Sequence, residues 1–212
     1  FDLVLSSSSA FAKGARKGGR ARHVCYCYTP MRFVWDYENY VAGEALPWVY
    51  RRLLPFFIRR LRKWDVGTST RPDLYVAVSS AVRRRIQTAY GVDARVVFPP
   101  VDTEKFKPGK EKGDFYLIVS RLISYKRLEL AIRAFNRAGL PLSIIGSGPF
   151  ADFLKRISGP NIRFLGRVSE EELARHYASC KALVLPGIED FGLTPLEANA
   201  AGRPAVAFAG GG

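Results

Sequence analysis

The sequence predicts an α/β protein made of two Rossmann-like domains, each built on a parallel sheet and each incomplete. Two observations carry that expectation. Short β-rich runs alternate with helical stretches along the whole chain, which is the rhythm of βα units and parallel sheets. The rhythm breaks once, after Pro99-Pro100, at the polar stretch "DTEKFKPGKEKGD", and then restarts. The expected division is residues 1–98, a linker over 99–113 and a second domain over 114–212.

In order, the first half offers strands in "DLVLSSS" and "HVCYCYT", a helical region, a strand in "LYVAVSS", a helix in "AVRRRIQTAYG" and a strand in "ARVVFPP". The second half offers the strand "FYLIVSR", the helix "RLELAIRAFNRAG", the strands "LSIIGSG" and "IRFLGRV", the helix "SEEELARHYASC", the strand "ALVLPG", the helix "PLEANAAG" and a last strand "AVAF". Four of these strands are apolar almost throughout, as strands covered on both faces should be. The chain opens already within a strand and stops just after another, so it reads as a piece of something longer. No repeat of 20 to 50 residues and no low-complexity tract interrupts the pattern.

A net charge of +14, from 33 Lys and Arg against 19 Asp and Glu, points to an anionic partner: nucleic acid, an anionic lipid surface or substrate phosphates. Against nucleic acid, the chain shows no helix-turn-helix, zinc finger or RNA-binding sheet motif. Three cysteines without a repeated spacing argue against a disulfide scaffold and fit a reducing compartment. The expected place is the cytoplasm, since no apolar run approaches the roughly 18 residues that would span a bilayer. His23, Cys25 and Cys27 alternate and would share one side of a strand. Their rise of about 6.6 Å per pair is awkward for one tetrahedral ion, so no metal site is expected.

The segment "VYRRLLPFFIRRLRKW", residues 49–64, separates on a helical wheel. Arg51, Arg52, Arg59, Arg60, Arg62 and Lys63 fall on one half, and Leu53, Leu54, Phe57, Ile58, Leu61 and Trp64 on the other. Phe56 falls among the charges, and Pro55 is expected to start or kink the helix. The first expectation is an apolar stripe on the core with a solvated basic face. The other is docking on the anionic inner face of the plasma membrane.

Open α/β sheets bind ligands beyond the carboxyl ends of their strands. There "FYLIVSRLISYKR" places Arg121 at the end of a strand and Lys126 just before a helix, a pair of cations suited to a pyrophosphate. Gly146 and Gly148 in "IIGSGPF" form a glycine turn that suits close backbone approach to a ligand, without the third glycine of the dinucleotide fingerprint. In "PGIEDFGLTPLEANAAGRP", Glu189 is delivered to the same edge, and Gly192, Leu193 and Thr194 offer amides at a helix start. Thr194, Pro195 and Glu197 read as N-cap, first-turn proline and capping-box glutamate.

Taken together, "SRLISYKR", "GSGP", "IRFLGRVSEEEL" and "PGIEDFGLTPLEANAAGRPAVAF" resemble the retaining glycosyltransferases of family 4, which have the GT-B fold of two Rossmann-like domains. Glu189 and Glu197 reproduce that family's E-x7-E motif. "HVCYCYTPMRFVWD", "VAVSSAVRRRIQTAYG" and "VVFPPVDTEKFKP" look like its mannosyltransferase-type branch, which works on bacterial surface polysaccharides.

The resemblance implies that Arg121 and Lys126 hold the diphosphate of the donor, Glu189 the hydroxyls of its sugar and Glu197 those of the ribose. Phe191, Gly192, Leu193 and Thr194 would line sugar and phosphate, and Gly166, Arg167 and Val168 would seat the base. It also implies metal-independent transfer of a hexose to a glycan or lipid-linked acceptor. No cofactor is expected beyond the donor itself, GDP-mannose or another nucleotide sugar. Tyr28 and Arg32, in "YCYTPMR", are the acceptor-side candidates. Tyr28 stands where the branch commonly carries histidine, and a phenol with a pKa near ~10 is a poor base at neutral pH. A GT-B sugar-nucleotide epimerase is the alternative enzyme, and a nucleic-acid-binding module the alternative outside enzymes.

Overall fold

The computed structural model describes residues 1–37, 48–110 and 113–212, apart from the side chains of residues 49–51. The chain divides into two compact units, residues 1–99 with 211–212, and residues 100–210. Glu111 and Lys112, inside the expected linker, lie outside the described residues. Residues around Phe106 pack with the second unit, where that ring is buried in the core beside Leu117, Tyr177 and Leu183.

The first unit holds a parallel sheet of strands β1 (Leu3–Ser8), β2 (Arg22–Cys27), β3 (Leu74–Ala77) and β4 (Arg95–Val96) in that order. Its helices are α1 (Arg32–Trp35), α2 (Trp48–Gly67) and α3 (Ser80–Tyr90). The Ser79 side chain accepts from the Val82 amide at the start of α3, and Gly91, with φ of 68°, ends it in the left-handed region. That is the usual division of labour between a hydroxyl N-cap and a glycine C-cap.

Two features of this unit depart from the sequence reading. Helix α2 continues through Pro55, although proline removes one backbone hydrogen bond from a helix interior. The apolar half of α2 is also not a buried half. Leu54, Ile58 and Leu61 pack with Met31, Val34 and Trp35, whereas Leu53, Phe56 and Phe57 are each more than half exposed. Among the described residues only this narrow stripe of the apolar half of α2 is covered. Arg51 lies outside the described side chains.

A buried ion pair anchors α2 at its far end. The Lys13 Nζ is 2.9 Å from Asp65 Oδ1, and both side chains are almost wholly enclosed. Lys13 also donates to Thr68 Oγ1 at 2.8 Å, while Trp35 Nε1 and Tyr90 Oη each donate to Asp65 Oδ2 at 2.8 Å. A buried charge pair is tolerated when such extra hydrogen bonds satisfy its remaining sites.

The second unit has five parallel strands: β5 (Tyr116–Val119), β6 (Leu142–Ile145), β7 (Ile162–Gly166), β8 (Leu183–Leu185) and β9 (Ala205–Ala207). Their order is β7-β6-β5-β8-β9. The chain therefore moves outward from β5 to β7, then crosses back to the other side of β5. Its helices are α4 (Leu128–Ala138), α5 (Ala151–Arg156), α6 (Glu170–Ser179) and α7 (Leu193–Ala200). The α5 turn has no counterpart in the sequence reading, being only six residues long. Ile118, Leu142, Ile144 and Leu154 on one side of the sheet, and Leu117, Tyr177, Leu183 and Ala198 on the other, form two core clusters. Burial on both faces is what the apolar strands anticipated.

In the first unit, His23 is fully buried and its Nε2 is 2.8 Å from Ser6 Oγ, while its Nδ1 has no partner among the described residues. Burial holds this imidazole below its ordinary pKa. Lys17 pushes the same way, while Asp73 opposes it. The unfolded chain then binds the proton more readily, so stability is full above about pH 6.5 and falls as pH drops toward the lower folded value. Asp73, held below its ordinary range by its hydrogen bond to Lys17, contributes above 3.8 and loses its share only at more acidic pH. All three tryptophans, Trp35, Trp48 and Trp64, lie in the first unit, so their fluorescence follows its unfolding. The melting temperature read this way should fall between pH 7 and pH 5, and fall less in His23→Gln. Equal slopes in both proteins would contradict the assignment to His23.

Candidate functional site

The reversal in strand order makes a switch point between β5 and β8, which pair in parallel at Leu117 and Leu183. At such a point the loops leaving adjacent strands diverge to opposite faces and open a crevice. The loop after β5 carries Arg121 and Lys126, and the loop after β8 carries Glu189. The structure brings the last two together: Lys126 Nζ donates to Glu189 Oε1 at 2.5 Å, with both side chains roughly four-fifths buried. Arg121, on the same loop as Lys126, is exposed.

Close backbone packing holds these loops. A Cβ on Gly187 would sit 2.7 Å from the Lys126 carbonyl oxygen, so the β8 loop lies directly against the turn that presents the lysine. Lys126 ends a 3-10 turn, and Arg127, with φ of 55°, swings the chain into α4. A non-glycine residue in that region is uncommon and costs on the order of 1 kcal/mol.

Gly146 and Gly148 play the same part from the β6 side. A Cβ on Gly146 would fall 1.9 Å from the Ser120 carbonyl oxygen, and one on Gly148 would fall 2.3 Å from that of Leu122. The Leu122 amide donates to the Ser147 carbonyl at 3.0 Å, and the Phe150 amide to the Leu122 carbonyl at 2.9 Å. The close approach these glycines allow is thus to their own neighbouring loop. Gly166, at the end of β7 with φ of 69°, accepts from the Gly146 amide at 2.7 Å. Next to it, Arg167 Nε donates to Ser147 Oγ at 3.0 Å, while Val168 packs on the core that contains Tyr177.

The start of α7 differs from the expected capping box. The N-cap is Gly192, at φ of 89°, with no side-chain cap, and the helix begins at Leu193. Thr194 and Pro195 lie inside the first turn, where proline gives up an amide that has no helical partner anyway. Glu197 is consequently two residues beyond the capping-box position. Its Oε2 instead accepts from Tyr177 Oη at 2.6 Å. Gly192 has no side chain to accept from the first-turn amides, which lie at the positive end of the helix dipole.

The candidates Tyr28 and Arg32 belong to the first unit. Tyr28 follows β2, is 42% exposed, and stands edge-on to Tyr26 at 5.5 Å; Arg32 opens α1. Among the described residues no cluster of three or more His, Cys, Asp or Glu could hold a metal ion.

The model of the Glycosyl transferases group 1 family matches residues 100–212, and that of Glycosyltransferase Family 4 matches residues 1–105. The chain belongs to the group 1 glycosyltransferases. A GDP-mannose-dependent alpha-(1-6)-phosphatidylinositol monomannoside mannosyltransferase of Mycobacterium tuberculosis is 30% identical over 202 residues, covering 80% of this chain and 51% of that protein. The D-rhamnosyltransferase WbpZ of Pseudomonas aeruginosa is 28% identical over 184 residues, covering 80% of this chain and 47% of that protein. The chain spans about half the length of these curated relatives. Among solved structures, sucrose-phosphate synthase from Thermosynechococcus elongatus matches with a TM-score of 0.78 at 17% identity, over 100% of this chain and 57% of that one. This likeness shows the GT-B fold of the glycosyltransferase.

Sequence reasoning passed over Tyr177, Gly187 and Ser147. Tyr177 reads as one more core aromatic of an amphipathic helix, and Gly187 as a turn residue after a strand. Only the strand order reveals what each touches.

Proposed function

We propose that this glycosyltransferase transfers a hexose, with mannose from GDP-mannose the preferred donor, to a glycan or lipid-linked acceptor with retention of configuration. The observation that carries the reading is the Lys126 to Glu189 pair across the switch point, 2.5 Å apart and beside the uncapped start of α7. Arg121, Lys126 and the amides of Leu193 and Thr194 are the groups for the donor diphosphate, and Glu189 and Glu197 those for sugar and ribose hydroxyls. The preference for GDP-mannose rests on the mycobacterial relative, whose name states that donor.

In the reaction the bond between the anomeric carbon and the phosphate oxygen breaks, and the nucleoside diphosphate leaves with the electron pair. The acceptor hydroxyl bonds to the anomeric carbon from the same face and gives its proton to the leaving phosphate. Negative charge grows on the diphosphate in the transition state, where fixed cations and helix amides stabilise it without reorganising. Lys126→Ala should lower the rate of labelled mannose transfer from GDP-mannose by about 10²- to 10³-fold. Conversion of the nucleotide sugar to an epimer, with no label in an acceptor, would contradict transfer.

The face of α2 supports a place of action on an anionic membrane surface. Beside the exposed Trp48, Leu53, Phe56 and Phe57 stand the exposed cations Arg52, Arg59, Arg60 and Lys63, the composition of an interfacial helix. No helix among the described residues is long and apolar enough to cross a membrane. Sedimentation should show binding to phosphatidylglycerol vesicles that weakens with salt and with the Phe56→Ser, Phe57→Ser double variant. Equal binding to neutral phosphatidylcholine vesicles would contradict an electrostatic dock.

A further inference from the structure

We infer that Tyr177 is a positioning residue for the donor ribose: it holds Glu197 so that one carboxylate oxygen is kept for the ligand and the other is not. The inference rests on the donor-site reading of Glu197. Tyr177 lies on α6 and is fully buried, and its Oη donates to Glu197 Oε2 at 2.6 Å. Glu197, one helix on, is only partly buried, and among the described residues its bond to Tyr177 engages Oε2 and not Oε1. The carboxylate therefore points one oxygen inward, to the phenol, and has the other to offer.

Three features make the phenol a fixed donor rather than an incidental neighbour. Burial and the Glu197 carboxylate push its ionisation far above the ordinary tyrosine range, so it carries its proton throughout the working pH range. Phe106 stands edge-on to the Tyr177 ring with centroids 5.3 Å apart, and the ring is enclosed with Leu117, Leu183 and Ala198, which leaves it no alternative rotamer space. The bond also joins α6 to α7, so the carboxylate is referenced to a second helix as well as its own. A ligating carboxylate whose own orientation is fixed by a buried donor loses less freedom when a diol binds.

Calorimetric binding of GDP and of 2′,3′-dideoxy-GDP tests the inference. The unaltered protein should bind GDP about tenfold or more tightly than the dideoxy nucleotide, and Glu197→Gln should narrow that ratio. Tyr177→Phe should weaken GDP by about tenfold while changing dideoxy-GDP less than twofold, the loss expected when one hydrogen bond to a charged group is removed. If the unaltered protein does not distinguish the two nucleotides, the ribose reading of Glu197 fails and the inference with it. If it does distinguish them, but Tyr177→Phe weakens both equally or neither, Tyr177 is a packing residue and the inference alone is overturned. Should Tyr177→Phe not fold, Phe106→Leu loosens the same ring without removing the hydroxyl, and its GDP to dideoxy-GDP ratio is judged by the same criterion.

Discussion

The chemistry of the second unit depends on how closely three strand-end loops approach one another. At Gly146, Gly148 and Gly187 a single added carbon would lie within 2.7 Å of a backbone carbonyl of the β5 loop, including that of Lys126 itself. Backbone packed against backbone has few ways to relax, because no side chain can rotate aside. The loop after β5 is therefore held from both flanks, by β6 on one side and β8 on the other. Lys126 and Glu189 meet because the scaffold leaves their main chains little alternative.

This arrangement suits electrostatic catalysis. A cation and a carboxylate already held in contact at the strand ends need little reorganisation when charge develops on a ligand beside them, and such preorganisation is where much catalytic stabilisation originates. The uncapped first turn of α7 adds aligned amides at the same edge. Tyr177 extends the same principle one layer back, since it fixes the orientation of an acid that the surface alone would leave free to rotate. The first unit organises charge differently, through the Lys13 to Asp65 pair that ties the end of α2 to Trp35 and Tyr90.

Much of this was legible in the residues. Apolar runs such as "LSII" and "ALVL" announce strands buried on both faces, and "SRLISYKR" and "PGIEDFG" place Lys126 and Glu189 just beyond strand ends, where the structure joins them. What the residues could not show was whatever depends on which strand lies beside which. The order β7-β6-β5-β8-β9 turns Lys126 and Glu189, 63 positions apart, into neighbours, and turns three turn glycines into packing surfaces. Thr194 resembled an N-cap because local pattern cannot tell a hydroxyl before a helix from one in its first turn. A glycine two residues earlier, able to adopt φ of 89°, started the helix sooner. For α2, the wheel gave the right periodicity and the wrong burial, because periodicity specifies a face and says nothing of how much neighbouring chain exists to cover it.

A crystal structure of the protein with GDP bound would test the central claim most directly. The account predicts the diphosphate within hydrogen-bonding distance of Lys126 Nζ and the Leu193 and Thr194 amides, with the backbone of the three loops displaced by less than about 1 Å from the unliganded form. A nucleotide bound away from the β5 and β8 strand ends, or loops that rebuild around it, would contradict it.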